Sequence, residues 1–241
     1  MIVKLLRTTL SYILFILLVL LFAIPFLLFL LLPAKWRYEN KFCSWLLHIF
    51  YTLTLKATFL PITFVGKEHM SNEPAIIAAN HQSALDIPLI GSLCHGYPHI
   101  WMAWSRLKIY WIGIFVRRMA VLVDVSSSMK AMKSLVKAIK LIEGKKSHLI
   151  IFPEGSRSEG NKVHDFFAGF VILAKKTKRP VVPVLILNAY DAYPPGSFFI
   201  TMRPIMVIVG KPFYYKEDDS DEQFKRRVYE WFVNEVATYK E

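Results

Sequence analysis

The sequence predicts an α/β domain that is preceded by membrane-anchoring helices. Two observations support this prediction: a long uncharged apolar run opens the chain, and short apolar runs separated by helical stretches follow residue 60. A length of 241 residues suits one ordinary domain with a membrane attachment and leaves little room for two large domains. We therefore divide the chain into an anchor, residues 1–60, and a second domain, residues 61–241.

The anchor begins with an apolar run that has no charged residue between Arg7 and Lys35. A helix of roughly 20 apolar residues crosses a bilayer, so this run is long enough. It is too long for a cleaved signal peptide, and no small-residue cleavage site follows Leu32. Pro25 is tolerated in a spanning helix but also bends helices, so the run either spans the membrane or enters it from one side.

Residues 36–59 predict a second helix at the membrane surface. This segment opens with Trp36, Arg37, Tyr38 and Lys41 and then becomes apolar. Aromatic and basic side chains together are typical of the headgroup level of a bilayer. An ordinary core helix is the alternative interpretation. Basic residues flank the first apolar run on both sides, so they do not settle its orientation.

The chain is basic and apolar. Its net charge is +12; residues 216–241 carry five Lys or Arg and eight Asp or Glu, which leaves 25 basic and 10 acidic residues, or +15, on 1–215. Such a charge attracts nucleic acid, anionic lipid or phosphorylated substrates, and the anchor favours lipid over nucleic acid. A hydrophobic fraction of 54% with 20% charged residues excludes a disordered chain and a coiled coil. Two cysteines supply no disulfide framework and no metal site.

Six apolar runs after residue 60 predict strands: residues 62–66, 75–80, 120–124, 148–153, 181–187 and 205–210. Because these runs are continuously apolar rather than alternating, we expect strands covered by helices on both faces. One helix is predicted from Ser127 to Glu143, where Gly144 ends it. A last helix is predicted from Asp221 to Tyr239, since acidic residues suit its amino end.

The first candidate site is NHQSALD, residues 80–86, at the end of a predicted strand. On a straight helix His81 and Asp86 would point in different directions, since five residues turn through about 500°. A strand-to-helix turn would bring them together, so that the carboxylate orients the imidazole for proton abstraction. The alternative is a helix cap made by Asn80 or Ser83.

The second candidate site is FPEGSRS, residues 152–158, where an apolar strand runs into a Pro–Gly turn. The turn exposes Glu154 and Arg157. An Arg fork binds phosphate or carboxylate, and a carboxylate such as that of Glu154 bonds a hydroxyl or steadies the Arg. A structural turn with a surface ion pair is the alternative.

These two blocks resemble the NHxxxxD and FPEGTRS blocks of the glycerolipid acyltransferases, which include the bacterial 1-acylglycerol-3-phosphate acyltransferases. LKIYWIG at 107–113 and VVPVLI at 181–186 resemble two further family blocks, in the same order, so the resemblance covers roughly residues 62–210. It implies a mixed β-sheet flanked by helices in residues 61–241, as the acyltransferase domain.

The resemblance also implies the reaction: acyl transfer from a thioester, acyl-CoA or acyl carrier protein, to the free sn-2 hydroxyl of 1-acyl-sn-glycerol 3-phosphate. In this interpretation His81 is the general base and Asp86 orients it, while Glu154, Gly155 and Arg157 bind the acceptor and Pro183 lies near the acyl chains. No cofactor or metal is implied, and the remaining histidines show no ligand spacing. A domain fed by cytosolic donors is expected to face the cytoplasm.

The chain departs from the family pattern where cations are expected. Val125 follows Asp124 where an Arg is usual, Ala103 and Trp104 stand where a Lys is usual before the 107–113 block, and Ala168 replaces another Lys. Arg106, Arg117, Arg118 and Lys130 lie nearby as substitutes. The acceptor is therefore lysophosphatidic acid or another lysolipid, and a non-catalytic membrane-binding protein is the third hypothesis.

Overall fold

The structure is a computed structural model, and it describes residues 1–70, 73–105, 118–124 and 126–239. The helices are α1 (Ile2–Leu31), α2 (Ala34–Arg37), α3 (Lys41–Ala57), α4 (Asp86–Leu93), α5 (Ser128–Ile142), α6 (Gly169–Thr177), α7 (Ala189–Ala192) and α8 (Asp221–Thr238), with a short 3₁₀ turn at Lys67–His69. The strands are β1 (Ile62–Val65), β2 (Ile76–Ala79), β3 (His99–Trp104), β4 (Ala120–Val123), β5 (His148–Ile151), β6 (Val181–Leu187) and β7 (Ile205–Val209).

The strands form one mixed sheet, which confirms the predicted α/β fold. In the described part of the chain the strand order is β1-β7-β6-β2-β5-β3-β4. Strands β6, β2, β5, β3 and β4 are mutually parallel, whereas β7 runs antiparallel to β6 and pairs in parallel with β1. The five parallel strands therefore place their carboxyl ends at one edge of the sheet, where α/β proteins commonly bind ligands.

Among the strands that the structure describes, β3 is the one that the sequence analysis missed. Its sequence, HIWMAW, begins with a histidine and contains two tryptophans, so it lacks the aliphatic run that marked the other strands. The ring of His99 is buried, and its Nδ1 lies 3.0 Å from the backbone oxygen of Tyr97. This local bond and the pairing of β3 between β5 and β4 make the strand, and neither is visible as a pattern in the sequence.

Helices cover both faces of the sheet, as the continuous apolar runs predicted. Side chains of α5, α6 and α8 pack on one face, with Phe170, Phe224 and Phe232 fully buried. Side chains of α3, α4 and α7 pack on the opposite face, around Leu89 and Ile90. The two predicted helices, 127–143 and 221–239, are confirmed as α5 and α8; Ser127 caps the first, and a capping box at Ser220 and Gln223 begins the second.

Helix α1 packs lengthwise on α3 and leaves most of its surface exposed. Phe22 and Phe26 make edge contacts with Phe50 of α3. The helix is 30 residues long, and it is long and apolar enough to cross a membrane, with only 11% of its most apolar window buried. Pro25 lies inside the helix without ending it. The exposed leucines and isoleucines therefore form a continuous apolar surface, as lipid contact requires.

The amino end of α1 is attached to the α/β domain. Arg7 Nη2 donates to the backbone oxygen of Ile200 at 2.6 Å, and the hydroxyls of Tyr12 and Tyr193 are 2.9 Å apart. Residues 193–200 follow α7 at the carboxyl end of β6. The first turns of α1 thus lie at the carboxyl edge of the parallel strands.

The segment after α1 is attached to the same domain at another place. The Tyr38 hydroxyl donates to the backbone oxygen of Arg118, just before β4, and Lys145, just before β5, forms an ion pair with Glu39 at 3.6 Å. These contacts lie at the amino edge of the parallel strands. Helix α1, about 45 Å long at 1.5 Å per residue, consequently lies along the domain and does not project from it.

His148, the first residue of β5, is buried. Its Nδ1 accepts from the backbone N–H of Ala75 at 3.2 Å, and its ring lies 4.5 Å from that of Tyr97. Burial lowers the pKa of His148 to about 3, and the nearby His99 and Arg179 act in the same direction. The folded protein therefore holds this ring neutral at pH values where an unfolded chain protonates it.

Because of His148, we expect the free energy of unfolding to decrease as the pH falls. In the unfolded chain His148 takes up a proton below about pH 6.5, whereas in the folded chain it does so only at a pH of about 3. Between these two pH values the free energy of unfolding therefore decreases as the pH falls, by at most roughly 1.4 kcal/mol per pH unit. His148→Asn keeps an acceptor for Ala75 and removes this titration. Thermal unfolding in detergent between pH 7.5 and 4.5 should give a flatter pH dependence for His148→Asn than for wild type. The exposed His95→Asn is the control, and equal slopes for wild type and His148→Asn would contradict the prediction.

Candidate active site

His81 and Asp86 meet across the turn between β2 and α4. Strand β2 ends at Ala79 and α4 begins at Asp86, so the six intervening residues reverse the direction of the chain. His81 Nδ1 lies 2.6 Å from Asp86 Oδ2. The strand-to-helix turn that the sequence required for this contact is thus present.

The Asp86 carboxylate is buried and is fixed by three donors. Its Oδ2 accepts from the ring of His81 and from the backbone N–H groups of Gln82 at 2.6 Å and Ser83 at 2.8 Å. Because an ionised carboxylate only accepts, the His81 proton that faces it is on Nδ1. The neutral imidazole then presents the lone pair of Nε2, which is the arrangement of a general base.

Two further residues, Phe152 and Ser158, fix the position of His81. The ring stacks on Phe152, with ring centroids 4.0 Å apart and an angle of 13° between the planes. The backbone oxygen of His81 accepts from Ser158, both from its N–H at 2.7 Å and from its hydroxyl at 3.1 Å. The FPEGSRS segment therefore contacts both the ring and the backbone of His81.

The helix-cap alternative is wrong for Asn80 and holds in part for Ser83, whose hydroxyl accepts from the N–H of Leu85 at 3.3 Å beside the start of α4. Asn80 donates to the backbone oxygen of Ile186 at 2.8 Å and accepts from its N–H at 2.7 Å, so its amide ties β2 to β6. The Ser83 hydroxyl donates to the backbone oxygen of Tyr193. The residue before α4 is Leu85, whose own side chain makes no cap hydrogen bond.

Glu154 is buried against the same turn and does not pair with Arg157, so the surface-ion-pair alternative is wrong as well. Its Oε1 accepts from the N–H of His81 at 3.0 Å, and its Oε2 accepts from the N–H of His164 at 2.9 Å. Burial raises the pKa of Glu154 to about 7, although the two backbone bonds oppose that rise. Glu154 thus connects two loops at the edge of the sheet.

Arg157 is exposed and lies directly over the candidate base. Its Nε donates to His81 Nε2 at 3.3 Å. Gly155 precedes it with φ of +69°, and a Cβ there would come within 2.8 Å of the Phe167 ring, so the turn needs glycine. His81, Asp86, Glu154, Gly155 and Arg157 are therefore brought together in the fold.

Pro183 lies apart from these five residues. It pairs with Ala78 in the interior of the sheet, and its ring packs at Gly210 beside Trp231 of α8. Its predicted place near the acyl chains stays a prediction.

A set of amides that the sequence analysis did not single out supports the site. Gln82 Oε1 accepts from the N–H of Ala189, and its Nε2 donates to the backbone oxygen of Gly160. Asn161 Oδ1 accepts from the N–H of Asn188. Apart from the position of Gln82 beside His81, nothing in the sequence marks these residues.

Several residues from the sequence analysis lie outside the described residues: the 107–113 block, Val125, Arg106 and Arg117. Of the other candidate cations, Arg118 is exposed, and Lys130 donates to Ser126 and lies 3.8 Å from Asp124. Within the ranges that the structure describes, no three His, Cys, Asp or Glu side chains are placed to hold a metal ion.

Comparison with known proteins identifies the family. A family profile described as Acyltransferase matches residues 61–187, more than half of the chain. The chain belongs to the Acyltransferase family. The matched range contains His81, Asp86 and the whole FPEGSRS segment.

Curated relatives carry one activity in their names. A 1-acyl-sn-glycerol-3-phosphate acyltransferase of Cocos nucifera is 32% identical over 167 residues, which cover 68% of this chain and 52% of that protein. A protein of the same name from Borreliella burgdorferi is 30% identical over 169 residues, covering 66% of this chain and 67% of that protein. The chain spans about half the length of the plant relatives it matches.

One solved structure agrees over nearly the whole chain. The crystal structure of the 1-acyl-sn-glycerophosphate (LPA) acyltransferase PlsC from Thermotoga maritima superposes with a TM-score of 0.79 and 25% identity, covering 98% of this chain and 97% of that one. The agreement includes the N-terminal helices as well as the sheet, since so little of either chain is left out.

We expect Glu154→Gln to loosen the site. At pH 8 the carboxylate accepts from two backbone N–H groups, whereas an amide offers one oxygen and turns a donor toward the second N–H. Leaving that buried N–H unpaired costs about 1–3 kcal/mol, which should appear as a lower unfolding temperature in detergent. Glu159→Gln, at an exposed position in the same loop, is the control. Equal unfolding temperatures for the two variants would contradict the role of Glu154.

Proposed function

We propose that this protein transfers a fatty acyl group from a thioester, acyl-CoA or acyl carrier protein, to the sn-2 hydroxyl of 1-acyl-sn-glycerol 3-phosphate, giving phosphatidic acid. The observation that carries the proposal is the 2.6 Å contact between His81 and Asp86, with Nε2 directed away from the carboxylate. Relatives that bear this activity in their names support the choice of substrate class.

The reaction needs one base and no covalent intermediate on the protein. His81 Nε2 takes the proton of the acceptor hydroxyl as its oxygen attacks the thioester carbonyl, and Asp86 stabilises the imidazolium that forms. The C–S bond then breaks, and the proton passes from Nε2 to the leaving sulfur. An ester and a free thiol result, and the imidazole returns to its neutral state.

Arg157 has two positions in this mechanism. In the structure its Nε donates to His81 Nε2, so the acceptor hydroxyl reaches the base only after the guanidinium has moved. A phosphate on the acceptor attracts the guanidinium strongly, since Arg binds phosphate through paired hydrogen bonds. The acceptor therefore frees the base that it then uses. Glu154 acts as a positioning residue here, because both of its oxygens bond to backbone N–H groups.

A second acceptor class remains in the proposal. Val125, Ala103 and Ala168 stand where the family pattern has cations, which favours a lysolipid whose headgroup needs fewer of them. The transfer chemistry at His81 is the same for either acceptor.

We place the protein on one side of the membrane, with α1 in a single leaflet. The amino end of α1 and the segment that follows its carboxyl end both bond to the same α/β domain, so a helix that crossed the bilayer would require one of these contacts to lie on the side opposite the domain. The domain then faces the compartment that supplies the soluble donor, which we propose is the cytoplasm.

The first test is thiol release in detergent from oleoyl-CoA with a panel of lysolipids, with mass spectrometry of the products. Wild type should acylate lysophosphatidic acid, and His81→Ala should lower the rate by about 10²-fold or more, because the base is lost. His95→Asn is the control for histidine replacement. Faster turnover with another lysolipid would select the second acceptor class. Equal rates for wild type and His81→Ala would overturn the mechanism and favour the non-catalytic hypothesis.

A second test follows from the contact between Arg157 and the base. Arg157→Ala should raise the KM for lysophosphatidic acid and increase thiol release without acceptor, because water then reaches His81 Nε2. The double variant His81→Ala with Arg157→Ala separates a base-dependent hydrolysis from a general loosening of the site. An unchanged rate of hydrolysis in Arg157→Ala would contradict the blocking role of Arg157.

A further inference from the structure

Helix α5 exposes an apolar stripe on its outer surface. Met129, Met132 and Val136 are 69%, 47% and 42% exposed. Their spacing of three and four residues places them along one side of the helix. The opposite side of α5 is buried through Leu135, Ala138 and Ile142, so the stripe is not part of the core.

A row of lysines runs beside this stripe. Lys133, Lys137 and Lys140 are exposed at spacings of four and three residues. Among the described residues, none of these three forms an ion pair with a carboxylate, unlike Lys130, which lies 3.8 Å from Asp124. The outer surface of α5 thus combines exposed apolar side chains with unneutralised positive charge.

The membrane does not account for this surface. Helix α5 packs on one face of the sheet, whereas α3, against which α1 lies, packs on the opposite face; between α1 and α3, Tyr38 reaches the cluster on the α5 face. We therefore place the outer surface of α5 away from a bilayer that receives α1. The stripe and the lysines therefore face the aqueous side of the protein.

The amino end of α5 lies at the edge of the sheet that holds the candidate site. Helix α5 follows the carboxyl end of β4, and His81 follows the carboxyl end of β2, three strands away in the sheet order. Neighbouring strands are spaced by about 4.8 Å, so β4 lies about 14 Å from β2. A molecule bound on α5 is close enough to deliver a flexible arm to His81.

We infer that α5 docks a small acidic carrier protein that presents the acyl thioester on a flexible arm. The lysines match an acidic partner surface, and the exposed methionines match its apolar side chains, since interfaces combine complementary charge with an adaptable apolar centre. This inference rests on the proposed function and identifies where the protein-bound form of the donor makes contact.

The test compares two donors that carry the same acyl group. Wild type and the triple variant Lys133→Glu/Lys137→Glu/Lys140→Glu are assayed with palmitoyl-CoA and with a purified acidic acyl carrier protein loaded with palmitate. Charge reversal should raise the KM for the protein-bound donor about tenfold or more and leave that for palmitoyl-CoA within about twofold, because only the former touches the interface. Met132→Ser/Val136→Ser should raise the same KM without any change of charge.

The matched control is Lys176→Glu/Lys211→Glu/Lys216→Glu, which makes the same change of charge at exposed positions outside α5. Unfolding temperatures show whether each variant is folded. The dissociation constant of the loaded carrier is measured directly for all variants, so the docking is tested even if wild type shows no turnover with either donor, a result that would count against the proposed function alone.

Three outcomes would overturn the docking surface. An unchanged KM and dissociation constant for the carrier in the α5 variants would exclude it. An equal rise of the KM for both donors would mean that α5 binds the phosphates that they share. Loss of binding to phosphatidylglycerol vesicles in the α5 triple variant, but not in the control, would assign the lysines to the membrane.

Discussion

The buried carboxylate of Asp86 organises the candidate site. Its Oδ2 accepts hydrogen bonds from the ring N–H of His81 and from two backbone N–H groups of the turn between β2 and α4. The three donors to Oδ2 offset the cost of burying this carboxylate and close the turn around it, whereas Oδ1 is buried without a hydrogen-bond partner among the described residues. This closure gives His81 its tautomer and directs Nε2 outward, and the proposed chemistry depends on both.

The parallel pairing of β2 and β5 then brings the second block to the first. Both strands end at the same edge, so the segment after β5 lies against the turn after β2. Glu154 bonds the backbone of His81, Ser158 bonds its carbonyl, and Arg157 covers its free nitrogen. The FPEGSRS segment therefore supports His81 and covers its Nε2, and in the proposed reaction this contact would link acceptor binding to proton transfer.

Different helices cover the two faces of the sheet beside this edge. The α1–α3 hairpin lies on one face with an apolar exterior, and α5 lies on the other with a basic one. In the proposed reaction, a lipid acceptor and a soluble donor would approach this site from these two faces. The loop at 193–200 attaches the amino end of α1 near the same edge, so the position of α1 is fixed relative to His81.

The sequence by itself determined the apolar anchor, six of the seven described strands, helices α5 and α8, and the residues of the two polar blocks. These features are encoded in local periodicity, caps and turns, which need no distant partner. Tertiary structure alone decided that β3 is a strand, that Glu154 bonds two backbone N–H groups rather than Arg157, and that α1 lies along the domain. Each of these depends on contacts between residues far apart in the chain, and such contacts leave no periodic pattern in the sequence.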